Sequence, residues 1–312
     1  MRHRKIKILE ERIFNALMIV ATLAIVVSLF MIIVAIVKRG LPAMSWDMIS
    51  KIPTGGFYLG KEGGLLNAIV GSVYIVLGSI SLGLVFSLPI VLYLNLYLPE
   101  KSRLAQFTRL SFDVLFGIPS IVYGAFGFTL MVYLGLRSSL LAGILTVTIL
   151  IIPILIRSID EVMRRVPKEM KYAALSLGAT RSEIIRPILK QVAPGIVTAV
   201  LLSVGRGIGD AASVLFTAGY TDSIPTSLSQ PVATLPLAIF FQLSSPIAEV
   251  QDRAYAAALI LTIIVLMLSI AARVYSRKFS KNKIRYRICL GLRNLLNRPP
   301  QNCMLCRKYK VR

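Results

Sequence analysis

Histidine, cysteine and acidic residues are scarce in this chain of 312 residues. His3 is the lone histidine, and the three cysteines, Cys289, Cys303 and Cys306, all lie near the C-terminus. Cys303 and Cys306 form a single C-x-x-C with no second pair. A tetrahedral metal site needs four ligands, so incidental cysteines are a simpler reading than a metal or redox centre. No set of His, Cys, Ser and Asp recurs within the apolar runs, which argues against catalysis by a nucleophile or a metal. No cofactor is called for. A nucleotide motif is missing as well: Gly55, Gly60 and Lys61 match G-x-x-x-x-G-K, but Glu62 follows where a Ser or Thr must hold magnesium.

Charge is also absent from long stretches, and this absence carries the most information. The chain is 56% hydrophobic with a mean hydropathy of +0.74. Apolar runs of about 18 or more residues mark helical membrane spans. Six are expected: 13–37, a span within 65–98, 114–136, 140–156, 196–216 and 254–272. The run 65–98 exceeds one crossing, and Pro89 is expected to bend or interrupt its far end. The fold class expected is therefore an all-α membrane protein with six transmembrane helices. A basic arm (1–12) precedes the spans, and the first apolar run is too long for a cleaved signal. A basic tail (277–312) follows, expected on the membrane surface or without structure.

The basic residues that remain give an orientation. Of 36 lysines and arginines, 29 fall in the N-terminal arm, 99–113, the region around 157–195 and the stretch after the last span (Arg273 and the tail), against 6 in the intervening loops. An N-in, C-in topology follows. The net charge of +22 is then a property of the cytoplasmic face beside anionic lipid, and no nucleic-acid partner is implied.

The segment 166–195 is polar and helix-patterned, between two membrane-length runs. Met170, Ala173, Ala174 and Leu177 share one helical face, and Gly178 is placed to end that helix. Thr180 and Glu183 then form a capping box that starts a second helix, with Ile184, Ile185, Ile188, Leu189 and Val192 on one face. Pro187 is expected to kink or shorten it. Such an elbow either docks on a partner or is an amphipathic surface pair.

The elbow resembles the cytoplasmic "EAA" loop of ABC-importer permeases. Tyr172-Ala173-Ala174 stands at its Glu-Ala-Ala, Gly178 at its central Gly, and Leu189-Lys190 near its Leu-Pro. Other segments are similar to phosphate-importer permeases of the PstA type. These are Gly63–Ser72, Gly117-Ile118-Pro119-Ser120-Ile121-Val122-Tyr123-Gly124, Arg206-Gly207-Ile208-Gly209-Asp210, Leu235–Phe240 and Tyr255-Ala256. The resemblance covers about 13–276 and implies a type I ABC importer permease fold. It also implies an ATPase docking at Tyr172, Ala173, Ala174, Leu177, Gly178, Ala179, Thr180 and Ile184.

From the residues themselves, Arg206 falls near the middle of the fifth span, where a charge is costly and marks a function by default. Asp210 lies four residues on, a spacing that lets the two side chains meet. The pair is either a self-neutralising structural pair or, as the resemblance implies, part of the transport route, with Asp210 where the family usually has Glu. Gly117–Gly124 is either a Pro-kinked packing helix or, with Pro119 and Ser120, part of that route; Gly209 allows close approach of another helix. The segment Leu235–Phe241 is too short to span and is expected to be interfacial or re-entrant.

The resemblance implies a non-catalytic permease subunit in the plasma membrane, importing inorganic phosphate. Its implied partners are two copies of an ABC ATPase subunit, a second permease chain, an external phosphate-binding protein and membrane lipid. Permeases for sulfate, molybdate or tungstate and, from another class, a secondary transporter are the alternatives. The topology has a direct check. A cysteine introduced at Ser182 should react with an impermeant thiol reagent from the inside alone, and one at Ser223 from the outside alone. The reverse pattern would overturn the orientation.

Overall fold

The computed structural model describes residues 2–54, 62–99 and 102–296. The nucleotide-like Gly55–Lys61 stretch and Cys303 and Cys306 lie outside these residues. Among the described residues five helices are long and apolar enough to cross a membrane, or six if a sharply bent pair counts as one span. The chain divides into two compact units, one of Met1–Ser72, Tyr220–Ser227 and Pro231–Ile263, the other of Val73–Gly219, Leu228–Gln230 and Ile264–Arg312.

The first unit begins with α1 (Arg2–Ala43), whose apolar window is 0% buried within the chain. A helix that is apolar all round and uncovered belongs in lipid or against another chain. Gly40, near its end, lets the helix approach the Tyr255 carbonyl, where a Cβ would come within 2.6 Å. The loop that follows carries short elements of its own. It holds α2 (Trp46–Ser50), capped by the Ser45 hydroxyl accepting from the Met48 N–H at 3.3 Å, and two short antiparallel strands, β1 (Pro53–Thr54) and β2 (Glu62–Gly63). The short apolar segment forms helix α9 (Leu235–Leu243). Its first half is packed inside protein, with Leu235, Leu237 and Ala238 fully buried, while Phe240 and Leu243 near its end are about half exposed. Its first N–H groups are satisfied locally, Leu235 donating to the Ser72 hydroxyl at 2.9 Å. A short apolar helix needs such partners for its ends when water is excluded.

The second unit is built on α6 (Leu140–Arg164), 72% of whose apolar window is buried. Helix α3 (Leu66–Leu92) enters this unit at Val73 and passes into a π-helical turn, Tyr93–Tyr97. Pro89 sits inside α3 without ending it, and the change of winding comes one turn later. Ser79 donates to the Ile144 carbonyl at 3.0 Å, tying α3 to α6.

Three further expectations about the spans change. The third is not one helix: α4 (Arg103–Phe116) and α5 (Ser120–Tyr133) meet at 99°. Gly117 ends α4, and Pro119, lacking an N–H and holding φ at −59°, starts α5. The fifth span is helical only as far as Ile208, at the end of α8 (Arg181–Ile208), and 212–218 are turns. Pro187 and Pro194 do not break α8, whose Ile184, Ile188 and Val192 are buried while Gly195 fits against Val162 of α6. Tertiary packing overrides the proline cost there. The basic tail, finally, is not separate at its start, since α10 (Ala248–Leu296) runs on through it, with neither Pro nor Gly between Ala254 and Cys289 to stop it.

Beyond the break in the third span, α5 packs backbone to backbone against the turn after α8. A Cβ on Gly124 of α5 would stand 2.6 Å from the Ala212 carbonyl oxygen and 3.1 Å from Ser213 Cα, both backbone atoms. Gly124→Val should therefore cost about 1–3 kcal/mol and lower the thermal unfolding midpoint of the detergent-solubilised protein. An unchanged midpoint would mean that α5 and this turn do not pack as described.

Candidate functional site

The residues marked out by the sequence fall in two places, both in the second unit. Around the end of α8, helical sides alternate sharply. Ala199, Ser203 and Gly207 are buried, and a Cβ on Gly207 would meet Ile151 of α6 at 2.9 Å. Leu202, Arg206 and Gly209 are exposed, and nothing lies within 4 Å of a Cβ built on Gly205. Arg206 thus points to an open side of the helix.

The expected Arg206–Asp210 pair does not form. Helix α8 ends at Ile208, so Asp210 leaves the helical register that would place it over Arg206. Its Oδ2 instead accepts the Ser213 N–H at 2.9 Å, folding the chain back into the turns of 212–218. Among the described residues no hydrogen bond or ion pair within the chain reaches the Arg206 guanidinium. The same turn brings the two sequence segments together: Gly124 of α5 backs onto Ala212 and Ser213, while exposed Pro119 and half-buried Ser120 stand one turn earlier. The hydroxyls of Ser203 and Ser213 are buried and have no partner within the chain. A groove of about 400 Å³ between α6 and α8 is lined by Thr198 and Leu202 on the open side of α8 and by Glu161 and Arg165 of α6.

The elbow forms as its pattern requires. Helix α7 (Lys168–Ser176) ends at Leu177, and Gly178 takes φ +82°, the left-handed conformation that stops a helix. The Thr180 N–H donates to Glu183 Oε2 at 2.7 Å, and the Thr180 hydroxyl to the same oxygen at 2.8 Å. The two arms differ in what they present. Ile184 is 3% exposed and belongs to the seat of the elbow within its own chain. On the other arm Leu177 is 88% exposed and Tyr172 62%, with Ala173 exposed and Ala174 and Ala179 half-buried. Leu177 and Tyr172 thus form an exposed apolar tip, a feature that marks interaction surfaces in general.

Sequence reasoning missed a third cluster. Asp160, only 7% exposed on α6, accepts Arg109 Nε at 2.9 Å and Nη2 at 3.2 Å, and Asn95 Nδ2 at 2.6 Å. The available signal was an acid just past the end of an apolar run, but the residues it meets are far away in sequence.

The profile of binding-protein-dependent transport system inner membrane components matches residues 87–281, from within α3 to the start of the tail. The chain belongs to this family. It is accordingly a multi-pass membrane protein, and the matched stretch contains the elbow, Pro119, Arg206 and Asp210. Among its relatives, the phosphate transport system permease protein PstA of Haemophilus influenzae is 34% identical over 269 residues, 84% of this chain and 93% of that one. The PstA of Yersinia pestis is 36% identical over 259 residues, covering 82% and 85%. A probable PstA of Methanocaldococcus jannaschii is 31% identical over 276 residues, covering 87% and 95%. Among solved structures, a chain of the MetNI methionine ABC transporter in an inward-facing conformation aligns with a TM-score of 0.55 at 20% identity, over 69% of this chain and 95% of that one. That likeness is one of fold, and the fold is the importer-permease type expected.

Gly178 provides a check on the elbow. Nothing lies within 4 Å of a Cβ at this position, so any cost of substitution comes from the backbone and not from crowding. Gly178→Val should cost about 1–2 kcal/mol locally and speed amide hydrogen exchange in α7 roughly tenfold, while Gly178→Asn changes it little. Equal exchange in both variants would show that the left-handed turn does not hold α7 in place.

Proposed function

We propose that this chain is the membrane permease subunit of an ATP-driven importer of inorganic phosphate. The observation that carries this reading is the likeness to PstA proteins along more than four-fifths of the chain. The site supports it. A phosphate crossing hydrocarbon needs a cation, and a guanidinium offers a planar, permanently charged fork that matches phosphate oxygens. Arg206 is such a group, turned to an open side of α8, with no anion of its own chain upon it. Gly205 and Gly209 leave room beside it for a second helix or for the ion. Pro119 and Ser120 line the same route at the broken helix, and Asp210 shapes the turn after α8 and adds a negative charge that discourages an anion from lingering.

The chain works with a second permease chain, an external phosphate-binding protein and two copies of an ABC ATPase subunit. The exposed face around Tyr172, Ala173, Leu177 and Gly178 is the seat of the ATPase. Ala174, Ala179 and Ile184 support that face from behind, and the Thr180–Glu183 box fixes the turn beside it. Hydrolysis of ATP belongs to the partner, so this subunit is not itself an enzyme.

The test is uptake of labelled phosphate into proteoliposomes holding the assembled importer, with ATP supplied on the ATPase side. Arg206→Gln should assemble normally, because no partner charge within the chain is stranded, yet lose phosphate uptake by about 100-fold or more. Adding Asp210→Asn should not restore it, since the two residues do not form a structural pair. Uptake regained in the double variant would refute the role of Arg206 on the route. Uptake that is inhibited by sulfate or molybdate as well as by phosphate itself would overturn the choice of substrate.

A further inference from the structure

The elbow is held to the rest of its unit by its own cations. The π turn Tyr93–Tyr97 ends a helix, and its last carbonyls have no helical donors left to accept from. Lys171 of α7 donates from Nζ to the Asn95 and Leu96 oxygens at 3.3 and 3.1 Å. Arg181, the first residue of α8, donates from Nη1 to the Tyr97 oxygen at 3.0 Å and lies 5.9 Å from the Tyr97 ring centroid. Each arm of the elbow thus sets one cation on the negative end of the same helix.

Asn95 carries the connection inward. Its Nδ2 donates to the Val91 carbonyl at 2.9 Å and to Asp160 Oδ1 at 2.6 Å. Asp160 in turn accepts from Nε and Nη2 of Arg109, which comes from α4. Helix α4 is one arm of the 99° break whose other arm, α5, packs against the turn after Arg206 and Asp210. A polar chain therefore runs from Lys171 of the elbow through Asn95 and Asp160 to Arg109 and the broken span, and Arg181 joins it through the backbone of the π turn.

We propose that Asn95 and Asp160 are positioning residues for transport. With Lys171, Arg181 and Arg109 they form a latch that makes the elbow, the end of α3, α6 and α4 move as one piece. The inference rests on the elbow being the seat of the ATPase, as proposed above. Stability alone does not account for the arrangement. A buried ion pair is often matched or bettered by apolar residues of similar volume, and an exposed cation such as Arg181 contributes little to folding. A π-helical turn has poorer hydrogen-bond geometry than an α-helix and recurs at functional sites. What the arrangement does supply is a set of directional contacts between elements that packing alone would let slide.

The experiment uses the assembled importer in proteoliposomes. It reads ATPase co-purification, the phosphate concentration for half-maximal uptake, and ATP hydrolysed per phosphate imported. The variants are Asn95→Leu and the double change Lys171→Met with Arg181→Met, which removes an exposed and a half-buried cation and touches none of the fully buried residues. The ATPase should co-purify as before and half-saturation should not move, while ATP spent per phosphate rises about tenfold. Lys171→Arg should keep the original ratio. An unchanged ratio in the surface double variant would overturn the latch, and so would loss of the ATPase from that variant, which would place the two cations in the docking face itself. Leu177→Asp separates the two readings. If it sheds the ATPase while the latch variants keep a normal ratio, the latch alone fails. If the ATPase stays bound to Leu177→Asp, the elbow is not its seat and both fail.

Discussion

A carboxylate cannot be placed among packed helices without bringing its donors along, and Asp160 shows what this demands of the second unit. Each buried ion carries a desolvation penalty of several kcal/mol unless its hydrogen bonds are met. The forked guanidinium of Arg109 and the amide of Asn95 meet them here, which fixes where α4 and the end of α3 must lie relative to α6. Once α6 is surrounded in this way, α8 can lie along it only with its small and apolar side inward. Ile184, Ile188, Ala199 and Gly207 occupy that side, and the opposite side is left open for Arg206.

The parts of the fold that depend on neighbours in sequence were legible in it. Runs without charge marked the spans. The elbow could be read from the spacing of Ala173, Ala174 and Leu177, the terminator Gly178 and the Thr180–Glu183 box, because a helix end is written within a few residues of itself. What escaped depends on geometry that a linear pattern does not carry. Gly117 and Pro119 announced a disturbance, but a kink and a 99° break have the same residues. Arg206 and Asp210 have the spacing of an ion pair, and a helix that stops at Ile208 dissolves it. Arg109 and Asp160 are separated by 51 positions and by two membrane-length runs, so neither announces the other.

The two arms of the elbow solve different problems with similar composition. In α8 the apolar residues at helical spacing face the chain itself, and the arm becomes a fixed strut. In α7 the same spacing leaves its apolar residues facing outward, tethered from behind by Lys171. Periodicity says that a face exists, and packing decides who sees it.

The 88% exposure of Leu177 has a consequence for the life of the chain in a cell. A leucine left in water at the tip of a rigid turn adheres to whatever apolar surface it meets, and quality control recognises the same feature. A copy made in excess of what covers its elbow therefore carries its own mark for aggregation or disposal. If the ATPase proposed above is what covers the elbow, its supply then limits how many copies persist.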